Sequence, residues 1–67
     1  MVVSDIIRLA RKHVADNPET ENSARFCLRD AVACYDDGDY DEAKSRAISS
    51  LHYSVGMFSS VYQRATS

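Results

Sequence analysis

The sequence predicts a small all-α domain of three helices. Apolar residues recur every three or four positions through most of the chain, which is the spacing of one face of an α-helix. Two Gly and one Pro in 67 residues are too few for the many turns of a β-sandwich or barrel. A chain of this length makes one domain, residues 1–67, and buries only about 60% of its unfolded surface. A deep catalytic cleft between two lobes is therefore excluded.

The first helix is expected over residues 5–16. Ser4 suits the N-cap position, because its hydroxyl can accept a hydrogen bond from a free backbone N–H at the helix start. Asp5 is favoured at the positive end of the helix dipole. Pro18 ends the helix, because the residue before a proline is disfavoured in the α conformation. The expected apolar stripe consists of Ile6, Ile7, Ala10 and Val14.

The second helix is expected over residues 18–36. Pro18 is tolerated in a first helical turn, where its missing N–H would have had no partner. Gly38 is the expected stop, since glycine adopts the left-handed conformation that commonly follows a helix. The expected apolar stripe consists of Ala24, Cys27, Leu28, Ala31, Val32 and Tyr35.

The third helix is expected over residues 40–64, with Asp39 as N-cap and Glu42 completing a start that resembles a capping box. It forms an antiparallel hairpin with the second helix, and the first packs across both. Continuity through Gly56 stays open, because glycine inside a helix costs about 1 kcal/mol relative to alanine. The apolar stripe of this helix alternates in steps of three and four through Ile48, Leu51, Val55, Phe58, Tyr62 and Ala65.

The length of the third helix predicts an interface, and with it a homodimer. At about 1.5 Å per residue it would span nearly 40 Å against about 18 Å for the first helix, which is too short to cover it. Residues 47–63 also contain no Asp, Glu, Lys or Arg, and depletion of charge is typical of interface cores. The predicted interface comprises Leu51, His52, Tyr53, Val55, Met57, Phe58 and Tyr62.

The net charge is only −2, but the charged residues are unevenly distributed along the chain. Eight Lys and Arg against ten Asp and Glu do not favour general nucleic-acid binding, which relies on cations that neutralise phosphates. Arg8, Arg11 and Lys12 form a candidate basic patch in the first helix, and weak DNA binding through it is one alternative function. Acidic residues crowd 36–42. This separation could steer a partner or pair one subunit with another.

No metal site or cofactor is expected. Cys27 and Cys34 would lie about 10 Å apart on one helix, too far for a disulfide, and two reduced thiols fit a cytosolic protein. The acidic loop 36–42 does not match an EF-hand, because Glu42 stands where the loop needs Gly and Ile48 where it needs Glu. With no signal peptide and no long apolar stretch, we expect a cytoplasmic protein with no membrane association.

The segment Gly38-Asp39-Tyr40-Asp41-Glu42-Ala43, with Ala33 and Tyr35 before it and Ala47 after it, resembles the turn of a tetratricopeptide-type helical hairpin. The resemblance implies a hairpin whose small alanines let two helices pack closely. A single unit is below the three or so repeats that a solenoid needs, so no peptide-binding groove is expected.

The segment Arg46-Ala47-Ile48-Ser49-Ser50-Leu51-His52 resembles the Arg-x4-6-His motif of the HEPN ribonucleases, a family of helical dimers. The resemblance implies metal-independent RNA cleavage, in which Arg46 would polarise the phosphate and His52 would transfer protons. This is the alternative enzymatic hypothesis.

The opening residues 1–10 and the run Cys27-Leu28-Arg29-Asp30-Ala31-Val32-Ala33-Cys34-Tyr35 resemble the small early proteins of lambdoid temperate phages. This resemblance implies an accessory protein that acts in the host cytoplasm through contacts with host or phage proteins, and it brings no catalytic residues. The expected function is therefore a non-enzymatic interaction module that modulates a larger machine.

Overall fold

The computed structural model describes residues 1–17 and 19–67 and contains four helices. They are α1 (Val3–Asp16), α2 (Asn22–Asp36), α3 (Tyr40–Val55) and α4 (Ser60–Thr66). The all-α prediction is confirmed, since the described part of the chain has no strand. The first three helices correspond to the three that were predicted, and the end of the predicted third helix is a separate element.

Helix α1 begins two residues earlier than predicted. The carbonyl of Val2 accepts the N–H groups of Asp5 (3.0 Å) and Ile6 (3.1 Å), so the first turn closes on Val2. Val2 is the N-cap and makes no side-chain cap bond. The assignment of Ser4 as N-cap is therefore wrong, because Ser4 lies within the first turn. The helix ends at Asp16 as predicted.

Helix α2 begins at Asn22, four residues later than predicted. Residues 19–21 lie outside the helix, and the N–H of Thr20 donates to the carbonyl of Asn17 at 2.9 Å. Thr20 is buried, so this connection packs against the rest of the domain. The predicted role of Pro18 as first helical residue lies outside the described residues.

Gly38 ends α2 as predicted. Its φ is +82°, and its N–H donates to the carbonyl of Tyr35 while the N–H of Asp39 donates to that of Cys34, at 3.0 and 2.9 Å. These two bonds are those of a Schellman motif, which satisfies the last carbonyl groups of a helix.

Asp39 caps α3 as predicted, since its side chain accepts the backbone N–H of Glu42 at 3.4 Å. The reciprocal half of the expected capping box does not form. The carboxylate of Glu42 accepts the Nε–H of Arg46 at 2.9 Å instead.

Helices α2 and α3 form the predicted antiparallel hairpin. The hydroxyl of Ser50, late in α3, donates to the carbonyl of Ala24, early in α2, at 2.8 Å. The two helices approach closely because fully buried alanines line their contact. These alanines are Ala24, Ala31, Ala43 and Ala47.

Helix α3 ends at Val55, so the prediction of one helix over 40–64 is wrong. Gly56 has φ +87° and ψ 156°, a region of conformational space that is nearly exclusive to glycine. Ser59 then caps a new helix by accepting the N–H of Val61 at 3.2 Å.

The core lies where α1 and α4 pack against the α2–α3 hairpin. Ile6 and Leu51 are the largest apolar side chains that are completely buried, and Ala65 brings α4 into the same cluster. Partly buried side chains, among them Val61 and Tyr62, pack around it. Helix α4 thus packs against the core formed by the first three helices.

We predict that Gly56→Ala lowers the free energy of unfolding by about 1–3 kcal/mol, because alanine is strained at this φ and ψ. Space is not the cause, since a Cβ at Gly56 would meet nothing within 4 Å. In a continuous helix the same change would stabilise the protein by about 1 kcal/mol. Urea unfolding followed by circular dichroism therefore decides between the two structures by the sign of the change.

Candidate interaction surface

Four exposed side chains lie around the point where α3 gives way to α4. We call His52, Tyr53, Met57 and Phe58 the α3–α4 corner. Phe58 is 90% exposed, Met57 50% and Tyr53 44%, and the two residues at 57 and 58 lie in the connection that follows Gly56. The corner exists because the chain turns at Gly56.

Ring contacts hold the corner against α4. The His52 ring lies 5.3 Å from that of Tyr53 and 5.9 Å from that of Tyr62, both in edge-to-face arrangements. Tyr62 itself packs against the core. Pairs of this kind stabilise beyond the area they bury, so His52 joins the exposed end of α3 to a fixed part of α4.

The predicted interface divides into a buried part and an exposed part. Leu51 is completely buried in the core, so its assignment to an interface is wrong. Val55 and Tyr62 are partly buried against the same core. The remaining members are those of the α3–α4 corner. The argument for dimerisation from a 40 Å helix also fails, because that helix does not form, and dimerisation itself stays a prediction.

The α3–α4 corner belongs to a segment of the sequence that has no formally charged residue. No Asp, Glu, Lys or Arg occurs between residues 47 and 63, and the exposed side chains include aromatic residues and a methionine. Interface cores are depleted of charge and enriched in these residue types. The α3–α4 corner therefore has the residue composition of an interface, but it is smaller than the interface that the sequence predicted.

The predicted basic patch is exposed on α1, and part of it lines a cleft. Arg8 and Lys12 line this cleft of about 330 Å³ together with Arg64 of α4. Arg8 lies 3.7 Å from the carboxylate of Asp5. Sequence reasoning missed Arg64, because only the folding back of α4 brings it beside α1. Arg11 is exposed outside the cleft.

Arg46 and His52, on which the ribonuclease hypothesis rests, contact different side chains. The Nε–H of Arg46 donates to the carboxylate of Glu42 at 2.9 Å, and this hydrogen bond raises the pKa of Arg46. His52 makes its ring contacts with tyrosines.

Cys27 and Cys34 are free thiols, each partly buried. Burial raises the pKa of the Cys34 thiol, and the carboxylates of Asp39 and Glu42 raise it further. The described residues contain no group of three or more His, Cys, Asp or Glu side chains placed to hold a metal ion. None of the helices in this part of the chain has the length and apolarity needed to cross a bilayer.

Comparisons with protein-family models, with curated proteins and with solved structures gave no match to this chain. The interpretation of the surface therefore depends on its own geometry and chemistry.

We predict that substitutions at two residues of the predicted interface have very different effects on the free energy of unfolding. Leu51→Ala lowers the free energy of unfolding by about 2–5 kcal/mol, because it leaves a cavity in the core. Phe58→Ala changes it by less than about 0.5 kcal/mol, as expected for an exposed residue. Urea denaturation of both variants measures the difference, and equal destabilisation would contradict the placement of Phe58.

We predict that Cys34 reacts slowly with iodoacetamide in the folded protein, because only the thiolate is nucleophilic and the raised pKa keeps the thiol protonated. The alkylation rate of a Cys27→Ala variant at pH 8 should rise on addition of urea. A rate in the folded state equal to that in urea would contradict this assignment.

Proposed function

We propose that this chain is a non-enzymatic protein-interaction module that binds a larger protein through the α3–α4 corner. The observation that carries the proposal is the 90% exposure of Phe58 within a segment, residues 47–63, that contains no Asp, Glu, Lys or Arg. A phenylalanine held in water at the tip of a short connection does nothing for the fold. It is available to a partner.

The energetics suit an anchor residue. Transfer of an exposed phenylalanine into an apolar pocket contributes about 1.5–3 kcal/mol, and a few buried aromatic side chains commonly supply most of the energy of an interface. Met57 and Tyr53, each about half exposed, would form the surroundings of that anchor. The ring contacts of His52 limit the entropy that binding would cost.

The shape of the corner favours a concave partner over a second copy at the same place. A stable interface buries about 800 Å² on each partner, which is close to a fifth of the 4314 Å² surface of this chain. Three exposed apolar side chains supply only part of that area, so any partner must also contact the residues around them. A two-fold contact would also set one protruding corner against another, whereas a pocket in a larger protein accommodates it.

The regulatory part of the proposal is supported by the resemblance to small early proteins of temperate phages. We infer that the partner belongs to a host or phage machine in the host cytoplasm and that the module modulates it by occupying a pocket. The absence of charge at the corner supports an apolar pocket. A phosphate-binding or nucleic-acid site would require cations there.

We predict that Phe58→Asp abolishes capture of a specific protein from a lysate of the host, because it places a carboxylate in an apolar pocket. Immobilised wild type, Phe58→Asp and Arg29→Asp are compared by quantitative mass spectrometry. Arg29 is exposed on α2, and its reversal is a control for added negative charge on another helix.

Isothermal titration calorimetry with the purified candidate then measures direct binding. The proposal requires at least a tenfold loss of affinity for Phe58→Asp, about 1.4 kcal/mol, and an unchanged affinity for Arg29→Asp. If every captured protein binds Phe58→Asp as tightly as the wild type, the corner is not the binding surface.

A further inference from the structure

A cleft between α1 and α4, which shares no residue with the α3–α4 corner, carries unpaired positive charge. Its charged lining is Arg8 and Lys12 from α1 and Arg64 from α4, with Asp5 as the one carboxylate. Neither Lys12 nor Arg64 forms an ion pair within residues 1–17 and 19–67. Three cations from two helices therefore line the cleft, and among them only Arg8 forms an ion pair in the described part of the chain.

The floor of the cleft is partly apolar. Met1 and Leu9 line it beside the cations, and Met1 is 47% exposed. A volume of about 330 Å³ is at the small end of the range for binding sites. The chemistry therefore suits a short acidic segment that also carries an apolar or aromatic side chain.

The chain presents such a segment at the turn between α2 and α3, which we call the acidic turn (residues 36–42). Asp36, Asp37, Asp39 and Asp41 are all exposed, and none forms an ion pair within the part of the chain that the structure describes. Glu42 is the exception, because it bonds to Arg46.

An aromatic side chain stands within the same turn. Tyr40 is 54% exposed, and its ring lies 5.1 Å from that of Tyr35 in an edge-to-face pair. The Schellman bonds at Gly38 and the cap bond of Asp39 fix the backbone between Tyr35 and Tyr40. The acidic turn is therefore an ordered surface with both carboxylates and an aromatic ring.

We propose that the acidic turn of one copy docks into the basic cleft of a second copy. Carboxylates of the turn would face Arg8, Lys12 and Arg64, and Tyr40 would pack against Met1 and Leu9. No ion pair joins the two surfaces within the described residues of one copy. Because the two surfaces differ, each copy has one of each, and the contact is head-to-tail.

This interface does not depend on the proposed function, since it uses neither Phe58 nor its neighbours. It also replaces the helix-length argument for self-association with one from charge complementarity. Opposite charges across an interface mainly speed association and fix its orientation, so the contact should be weak and sensitive to salt.

Neutralising variants test the contact. Two variants each remove two charges and leave the Asp39 cap intact. The cleft variant combines Lys12→Gln with Arg64→Gln. The turn variant combines Asp36→Asn with Asp37→Asn. Arg11→Gln with Arg29→Gln and Asp16→Asn with Asp30→Asn are controls with the same charge changes at exposed positions outside both surfaces. Circular dichroism verifies that each variant is folded.

Sedimentation equilibrium from about 10 μM to about 1 mM protein measures association. We expect the wild type to self-associate, with a dissociation constant at least about tenfold higher in 0.5 M than in 0.05 M NaCl. The cleft and turn variants should each lose at least about tenfold in affinity, and both controls and Phe58→Asp should match the wild type.

Mixing supplies the decisive result. The cleft variant retains a turn and the turn variant retains a cleft, so their mixture should form a 1:1 complex although each alone is weakened. A monomeric wild type at every concentration overturns the proposal. So does a mixture with no complex, or an equal loss in the controls. A monomeric wild type whose cleft binds an acidic peptide from another protein would overturn the second copy as the occupant.

Discussion

The backbone conformation of Gly56 is the constraint on which the rest of the structure depends. Its φ of +87° and ψ of 156° end α3 and change the direction of the chain before α4 begins. As a result Ala65 enters the core, Arg64 reaches the cleft beside α1, and Phe58 is left at the outside of the turn. The α3–α4 corner and the basic cleft both follow from this one position.

The elements that were correctly predicted are those that local chemistry determines. Gly38 and Asp39 act through bonds to residues three to five positions away, and the apolar spacing of α1 places Ile6 and Ala10 in the core. Gly56 was recognised as costly, but periodicity continued across it through Phe58 and Tyr62. Apolar spacing alone cannot distinguish one long helix from two consecutive helices. The apolar residues after Gly56 were therefore assigned to an interface with a partner.

The surfaces were predictable in composition but not in extent. The charge-free segment and the separation of basic from acidic residues are visible in the sequence, whereas the burial of Leu51 and the arrival of Arg64 beside Lys12 require the folded chain. A domain of this size has little core, and its stability and its contacts draw on the same few residues. In this fold different residues serve stability and binding, because Leu51 is buried in the core and Phe58 is exposed.

The central claim is that α4 folds back onto the core, and proton NMR tests it most directly. Nuclear Overhauser effects should connect the methyl group of Ala65 with the methyl groups of the core residues Ile6, Ile7 or Leu51, which belong to the same buried cluster. In a continuous helix Ala65 would lie about 21 Å along the axis from Leu51, beyond the reach of the effect. Absence of these contacts, together with uninterrupted helical contacts through Gly56, would contradict the account.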